Sequence, residues 1–548
     1  MTDHWDRTVD VLVAGSGAAG LAAAITAAAA ELDVLVVEST ARWGGTTSIS
    51  GGGLWMPANP LMLRDGVPDS AEEALRYMDE VIAETGPASS PERRRAYVDT
   101  APEVVAFLGR KGVRWRRSPD YPDYYPDRPG GKVGRAIEAA PFNTKLLGDF
   151  YASARSKESG IPVPLMTDDV WLLSRAWSTP SGFVRGARFV FRTLGQFAAG
   201  KRPAGVGGAL ASSLMHVVRS QQTPVWLSAP VTDLITEDGA VVGAVVDKDG
   251  RKQNVRARRA VVLAAGGFAN NAEWRRKHHG IPGYSSAPEG DQGTAIEAGV
   301  RAGGALALMD DAWWGASLLN PDGKAMFLVS ERSFPFSIIV DANGERFTNE
   351  SASYIDVGHA MLEHDVAGPM WMVSDVRHTR RYLNSALVGQ TKKWMKAGLL
   401  IQAPSLQTLA EGMGVEPARF RAAVERFNGF ARTGVDEDFG RGRTVYDNYY
   451  GDPRVKPNPN LGPLEKGPFR AVRVYPGDLG TKGGLLTDEH ARVLREDGTV
   501  IPGLYAAGNT TASVMGRTYP GPGSTIGPAV VFGYRAARHA AAGQASMP

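Results

Sequence analysis

Six residues near the start of the chain constrain its fold more than any other feature. Gly15-Ser16-Gly17-Ala18-Ala19-Gly20 follows a short apolar, β-branched run at residues 9–14 (VDVLVA) and opens an alanine-rich stretch. A second apolar run, residues 33–38 (DVLVVE), comes next. The pattern is G-x-G-x-x-G between a strand and a helix, with a second strand behind it. Gly15 permits the tight turn, Gly17 lets backbone approach a pyrophosphate, and Gly20 lets helix pack on strand. The helix N-terminus offers N–H groups and partial positive charge to phosphates. Glu38 ends the second strand, 18 residues beyond Gly20. A carboxylate there accepts hydrogen bonds from a ribose and repels a 2′-phosphate, which disfavours NADP. Ser39 follows it into the same binding turn.

The next segment decides which dinucleotide is expected. From Arg42 the chain reads RWGGTTSISGGG, with Gly44, Gly45, Thr46, Thr47, Ser50, Gly51, Gly52 and Gly53 forming a small, polar track. A nicotinamide domain would proceed into another helix and parallel strand. An extended track of this kind suits a longer cofactor, and FAD is the expectation. Residues 225–264 read as an antiparallel meander (VWLSA, VTDLIT, AVVGAVVD, QNVRA) feeding a buried strand at 260–264. Val231 in the meander and Ala265-Gly266 after the buried strand are candidate cofactor contacts. Asp291, in GDQGTAIEAG, is expected to cap a helix first and touch the flavin second. Far downstream, GLYAAGN ends a strand at Gly508-Asn509. Ser524, Thr525 and Ile526 precede a helix expected over 528–542, whose N-terminus is suited to a flavin carbonyl.

The dinucleotide signals therefore sit at both ends of the chain. Residues 311–479 between them carry aromatics, loops and amphipathic helices, one opening at Glu416-Pro417 with Phe420, Val424, Phe427 and Phe430 on one face. The expected fold class is α/β (α+β): a discontinuous Rossmann-like FAD domain, residues 1–310 and 480–548, with an α+β catalytic domain, 311–479, inserted.

Composition narrows the function classes. The chain has 65 glycines in 548 residues and no cysteine. Disulfides, iron–sulfur clusters, thiolate zinc sites and thioether flavin links are thereby removed. A net charge of +3 is too small for a nucleic-acid footprint. Residues 11–30 lack charge, but Asp3, Asp6 and Asp10 precede them where a signal peptide carries Lys or Arg, and alanine and glycine dominate. A cytoplasmic protein is expected. Residues 176–210 are apolar and basic with no acid. Such a stretch reads either as an exposed lid or loop, or as a peripheral contact with a membrane surface. No histidine pair has metal-ligand spacing, so no metal is expected, and His278-His279 reads as a solvated surface pair.

Several further segments carry a resemblance. GSGAAG, GGTTSISGGGLW, ERFTNES (345–351), LGTKGGLLTDEHARVL (479–494) and GLYAAGN together resemble the succinate dehydrogenase/fumarate reductase flavoprotein superfamily. YPDYY (121–125), Tyr354 just after RFTNES, and GRTYPGPG (516–523) are similar to the 3-ketosteroid 1-dehydrogenases within it. The similarity runs nearly end to end, with departure expected around 155–205. It implies a 3-ketosteroid substrate and a quinone-class electron acceptor, and because no histidine stands in the GGTTSISGGG track, noncovalently bound FAD is expected. It implies Tyr354 as base, Tyr124 (or Tyr125, one place along) as its hydrogen-bond neighbour, and Tyr519 with the Gly523 N–H as an oxyanion hole. Two alternatives are a 3-ketosteroid 4(5)-dehydrogenase and a fumarate- or urocanate-type reductase. The latter must clamp carboxylates, for which Arg346 and His359 are the candidates.

The implied residues suit such chemistry. Carbon 2 of a 3-ketosteroid is acidic only through its ketone, so the enolate oxygen must be stabilised. A phenol and a backbone N–H do so without a counter-ion in an apolar pocket. On this reading Gly523 is glycine so that no side chain blocks the carbonyl, and Pro520 and Pro522 stiffen the loop. A tyrosine base has an ordinary pKa near 10, so activity should rise towards alkaline pH.

Overall fold

The computed structural model describes residues 4–157, 163–177, 179–364, 366–382 and 390–543. Its first strand, β1 (Arg7–Ala14), leads into α1 (Ala18–Ala29) and β2 (Val34–Val37), as the motif requires. β1 and β2 are parallel, with Val11 opposite Val34 and Val13 opposite Val36. β3 (Val225–Trp226), β4 (Val231–Glu237), β5 (Ala240–Lys248) and β6 (Arg251–Leu263) follow.

The meander differs from expectation in two ways. β3 is only two residues long and runs parallel to β2, so it is not part of the meander. QNVRA and the buried strand after it are one 13-residue strand, β6. Its first half pairs antiparallel with β5 and its second half parallel with β1. A strand of about 13 residues spans some 43 Å at 3.3 Å per residue, long enough to serve both layers.

A second sheet is wholly antiparallel and contains β7 (Ala312–Leu319), β8 (Ala325–Phe327), β9 (Ser337–Val340), β10 (Met370–Ser374), β11 (Leu400–Ala403) and β12 (Phe469–Thr481). Its order is β8-β7-β12-β10-β9, with β11 also on β12. The chain then returns to the first sheet through β13 (Arg492–Leu494) and β14 (Val500–Ala506), completing the order β13-β14-β6-β1-β2-β3. β14 lies parallel to β6, with Val262 opposite Tyr505.

Five further helices position the site: α2 (Thr167–Leu173), α3 (Pro180–Ala198), α4 (Tyr354–Glu363), α5 (Pro417–Thr433) and α6 (Ile526–Ala542). α5 starts where expected, capped by Glu416, whose carboxylate accepts from Ala418 and Arg419 N–H at 2.9 and 2.7 Å. Phe420, Val424, Phe427 and Phe430 are all buried. α6 begins two residues earlier than expected, at Ile526. It crosses α1 so closely that a Cβ on Gly533 would lie 2.3 Å from the Ala19 carbonyl oxygen.

Residues 176–210 are neither a loop nor uniformly exposed. They comprise the 19-residue helix α3 and the start of a buried helix, Val206–Ser220. Among the described residues no helix is long and apolar enough to cross a membrane.

Candidate active site

One cavity runs from the mouth of β1 to the second sheet, walled by the dinucleotide motif at one end and by tyrosines at the other. Gly17 is the N-cap of α1, and a Cβ there would meet only Thr47 Oγ1, at 3.7 Å, so the turn leaves room on its cavity side. Gly15 has φ +109°, and a side chain would collide with the Ala264 carbonyl oxygen at 2.2 Å. Gly20 meets the Gly15 carbonyl oxygen just as closely, so it serves packing alone.

Glu38 is buried against this turn. It accepts from Ser16 N–H at 3.2 Å and Ser16 Oγ at 2.6 Å, and from Thr40 N–H at 3.1 Å. Arg155 reaches the same corner, donating to Thr40 Oγ1 at 2.9 Å.

All the expected cofactor residues line the cavity except Gly20, Gly44, Val231 and Ser524. Gly44 (φ +105°) instead turns the chain and donates its N–H to Ser16 Oγ at 2.9 Å. Val231 opens β4 and faces the core beside Leu35 and Val37. Ser524 is fully buried and closes the proline–glycine loop, bonding Gly521 O at 2.7 Å and Gly521 N–H at 3.0 Å.

Asp291 corrects a second expectation. The nearby helix, Thr294–Arg301, is capped by Gly293 and receives no side-chain cap. Asp291 lines the cavity instead, with its Oδ2 buried and without a hydrogen-bond partner in the protein. Burial, then the charges of Asp478 and Glu38, push its carboxyl up to about 7. An orphaned carboxylate oxygen calls for a ligand donor. Together with the open glycine turn and the Gly266 wall, it fits the hydroxyl-rich chain of FAD.

At the other end, three tyrosines pack ring to ring. Tyr124, Tyr354 and Tyr519 have centroid separations of 5.3, 5.1 and 4.9 Å for the pairs 124–354, 124–519 and 354–519. Each is at most 4% exposed. Burial drives the Tyr354 hydroxyl well above tyrosine's ordinary value; Tyr519 pushes it further up, and a hydrogen bond from Tyr124 opposes the rise. Tyr354 is also the first residue of α4, at the positive end of that helix, which favours a phenolate. Tyr519 too is raised by burial, while Thr525, Tyr354 and the backbone of Gly523 pull it back. The Tyr519 hydroxyl and the Gly523 backbone thus meet at one place.

Gly523 has a reason to be glycine besides the expected one of substrate access. Its φ is +94°, and a Cβ would lie 2.3 Å from the Gly53 carbonyl oxygen. The loop is pinned from outside through Pro520, whose carbonyl accepts from Tyr77 OH at 2.6 Å and Tyr124 N–H at 2.9 Å. Lys482 is fully buried and donates to the carbonyls of Gly516 and Thr518 at 3.1 and 2.8 Å, holding the strand of chain just before Tyr519.

The two adjacent tyrosines of YPDYY separate cleanly. Tyr125 turns away from Tyr354, donating to Asp356 Oδ1 at 2.8 Å and accepting from Thr518 Oγ1 at 3.1 Å. Between Tyr121 and Tyr124, Asp123 anchors the segment. It accepts from Trp55 Nε1 and Arg135 Nη1, both at 2.7 Å, and from Lys132 N–H at 3.0 Å.

Further cavity residues were given no role by the sequence reading, among them Tyr121, Tyr450, Thr40 and Arg155. Tyr121 and Tyr450 share a short hydroxyl contact, and Tyr121 reaches Tyr124 at 3.4 Å. The YPDYY segment flagged Tyr121, but nothing local marked Tyr450, Thr40 or Arg155. His279 is not a solvated surface residue: it packs edge-on against Trp314 at 5.1 Å, and burial and Arg275 lower it to about 3.

The carboxylate clamp of the reductase alternative is not formed. Arg346 is committed to Glu350 and Asp436, at 2.8 and 2.9 Å, and His359 to Asp311, at 2.9 Å. Neither lines the cavity.

A Rossmann turn, an open dinucleotide trough and an abutting apolar pocket define a flavin-dependent oxidoreductase, and the chain belongs to the FAD binding domain family, whose model matches residues 10–526. Within that class its similarities are specific. It is 42% identical to a 3-oxosteroid 1-dehydrogenase of Mycolicibacterium smegmatis, over 97% of each chain. It is 43% identical to the protein of the same name from Mycobacterium tuberculosis, covering 97% of this chain and 98% of that one. The crystal structure of 3-ketosteroid delta1-dehydrogenase from Sterolibacterium denitrificans, in complex with 1,4-androstadiene-3,17-dione, superposes with TM-score 0.91 at 37% identity, covering 98% of this chain and 100% of that one.

Proposed function

We propose that this protein is an FAD-dependent 3-ketosteroid 1(2)-dehydrogenase, desaturating ring A of its substrate. The observation that carries the reading is the convergence of Tyr519, the Gly523 backbone and Tyr354 at the apolar end of the flavin trough. When bound, FAD supplies the two-electron acceptor for the hydrogen leaving carbon 1. It would be held by the α1 N-terminus, Glu38, the 45–53 track, Asp291 and the N-terminus of α6. A noncovalent mode is supported by the 44–53 track, which carries no histidine.

The chain's own residues manage the proton and the ketone. Tyr519 and the Gly523 N–H donate to the 3-oxo group and stabilise the negative charge that grows there. Preorganised donors of this kind contribute about 3–4 kcal/mol each. Tyr354 takes the carbon 2 proton, and Tyr124 donates to Tyr354 and favours its phenolate. Reoxidation is assigned to a quinone-class acceptor, in keeping with the family resemblance.

The test is anaerobic mixing of the yellow protein with a 3-ketosteroid. Bleaching of the flavin band, with a product absorbing as a cross-conjugated dienone, is the expected result. No bleaching by any steroid, with turnover of fumarate by a reduced dye, would overturn it.

A further inference from the structure

We infer that α3 is a docking element that seats this protein on the surface of an anionic lipid bilayer, beside the mouth of the cavity. The reasoning starts from what α3 leaves uncovered. Gly182 is the only buried residue among its 19. Phe183, Val184, Val190, Phe191, Leu194 and Phe197 are 65, 47, 52, 74, 58 and 42% exposed. Trp177, just before the helix, is 75% exposed. At 3.6 residues per turn the six helical residues fall within an arc of about 140°. They form one continuous apolar face with aromatic wedges, not scattered surface residues.

The opposite face fixes the helix to the body. Arg185 donates to Asp169 of α2 at 2.6 Å, and Arg192 pairs with the same carboxylate and donates to Pro164 O at 2.9 Å. The apolar face is thereby held outward as a fixed feature of the surface. At about 1.5 Å per residue, it is near 28 Å long.

Charge selects the occupant. Residues 176–210 contain Arg185, Arg188, Arg192, Lys201 and Arg202 and no Asp or Glu. Arg188 and the pair Lys201-Arg202 are exposed at the border and end of the apolar face. Apolar side chains edged by cations match the acyl and headgroup layers of an anionic membrane surface. A second copy of this chain fits less well, because a twofold contact would set these cations against themselves.

Position gives the surface a purpose. α2 packs on α3, and its Val170 both lines the cavity and is 48% exposed, so the cavity opens beside the docking helix. An apolar substrate dissolved in the bilayer would enter there without crossing water. This last point rests on the steroid reading above; the docking itself does not.

The experiment is sedimentation of the flavin-loaded full chain with vesicles of phosphatidylcholine alone or with 30% phosphatidylglycerol, at low and high salt. Wild type should pellet with the anionic vesicles and be released at least several-fold by salt. The F183D/F191D variant should lose at least ten-fold in vesicle partitioning while keeping wild-type turnover of a steroid in detergent-free solution. Wild type remaining in the supernatant with both vesicle types, or the variant pelleting like wild type, would overturn the proposal. Self-association abolished by the same substitutions, without vesicle binding, would assign the face to a second copy and overturn it equally. Vesicle binding is read by sedimentation, so it is decided whether or not any steroid is turned over.

Discussion

Replacing Tyr519 by phenylalanine removes one oxygen from the heart of the proposed site. The ring stays: it stacks on Tyr124 at 5.1 Å and meets Trp313 edge-on at 5.3 Å, contacts that do not need the hydroxyl. The hydroxyl's partner outside the tyrosine cluster is Thr525 Oγ1 at 3.3 Å, a long hydrogen bond. Losing it should cost stability by about 1 kcal/mol or less. Catalysis should suffer far more. If Tyr519 is one of two donors to the developing enolate oxygen, its loss removes about 2.7–4 kcal/mol of transition-state stabilisation, or about 10²–10³ in rate. The loss should fall on kcat and kcat/KM alike, since the donor acts on charge that appears only in the transition state. Single-turnover flavin bleaching under nitrogen measures the step directly, and thermal melting with FAD bound checks the fold. A variant that bleaches within three-fold of wild type would refute the oxyanion role. So would a variant whose loss appears only in KM.

Five other outcomes are expected. The rate should climb with pH from 6 to at least 9 without a plateau, because burial raises Tyr354 above its ordinary value and the active form is the ionised one. The same shift sets a ceiling: a group whose folded pKa is raised contributes stability below the unfolded pKa near 10 and loses it above, so melting temperature should fall beyond about pH 10. Gly523→Ala should cost at least about 1–3 kcal/mol through positive φ and the clash with Gly53, moving the loop and lowering kcat more than FAD content. Asp291→Ala should lower FAD retention, read as the ratio of flavin to protein absorbance, while Asp291→Asn retains more of it. Asp123→Ala should lower stability by about 3–5 kcal/mol, since it unpairs one side of the buried Arg135, and thermal melting will show it.

What was legible in the sequence was what is local in the chain. The β1–α1–β2 unit and its glycines could be assigned because strand, turn and helix are consecutive, and Gly20 packs on Gly15 within the same unit. The start of α5 was legible for the same reason, a cap and an apolar face within one helix. The site's outer wall was not. Tyr450 meets Tyr121 across 329 residues of chain, and Arg155 meets Thr40 across 115, with no motif around Tyr450 or Arg155 to mark the pairing. Asp291 was misread as a cap because its spacing before a helix looks the same whether the carboxylate faces the helix or a cavity. Gly523 was singled out for substrate access, while its packing reason was hidden, since only the folded chain reveals Gly53 beneath it.

The parallel pairing of β6 with β14 has a consequence for how the protein is made. Leu263 leaves the ribosome some 240 residues before Ala506, its partner. At about 5–20 residues per second, that gap lasts on the order of tens of seconds. Throughout it, β6 carries an unpaired edge, and the nucleotide trough lacks Gly508, Thr525 and Ile526 from its wall. Cofactor capture is therefore a post-translational event, gated by the arrival of the last strand and helix. A nascent chain arrested before Val500 should be a client of chaperones rather than a yellow protein.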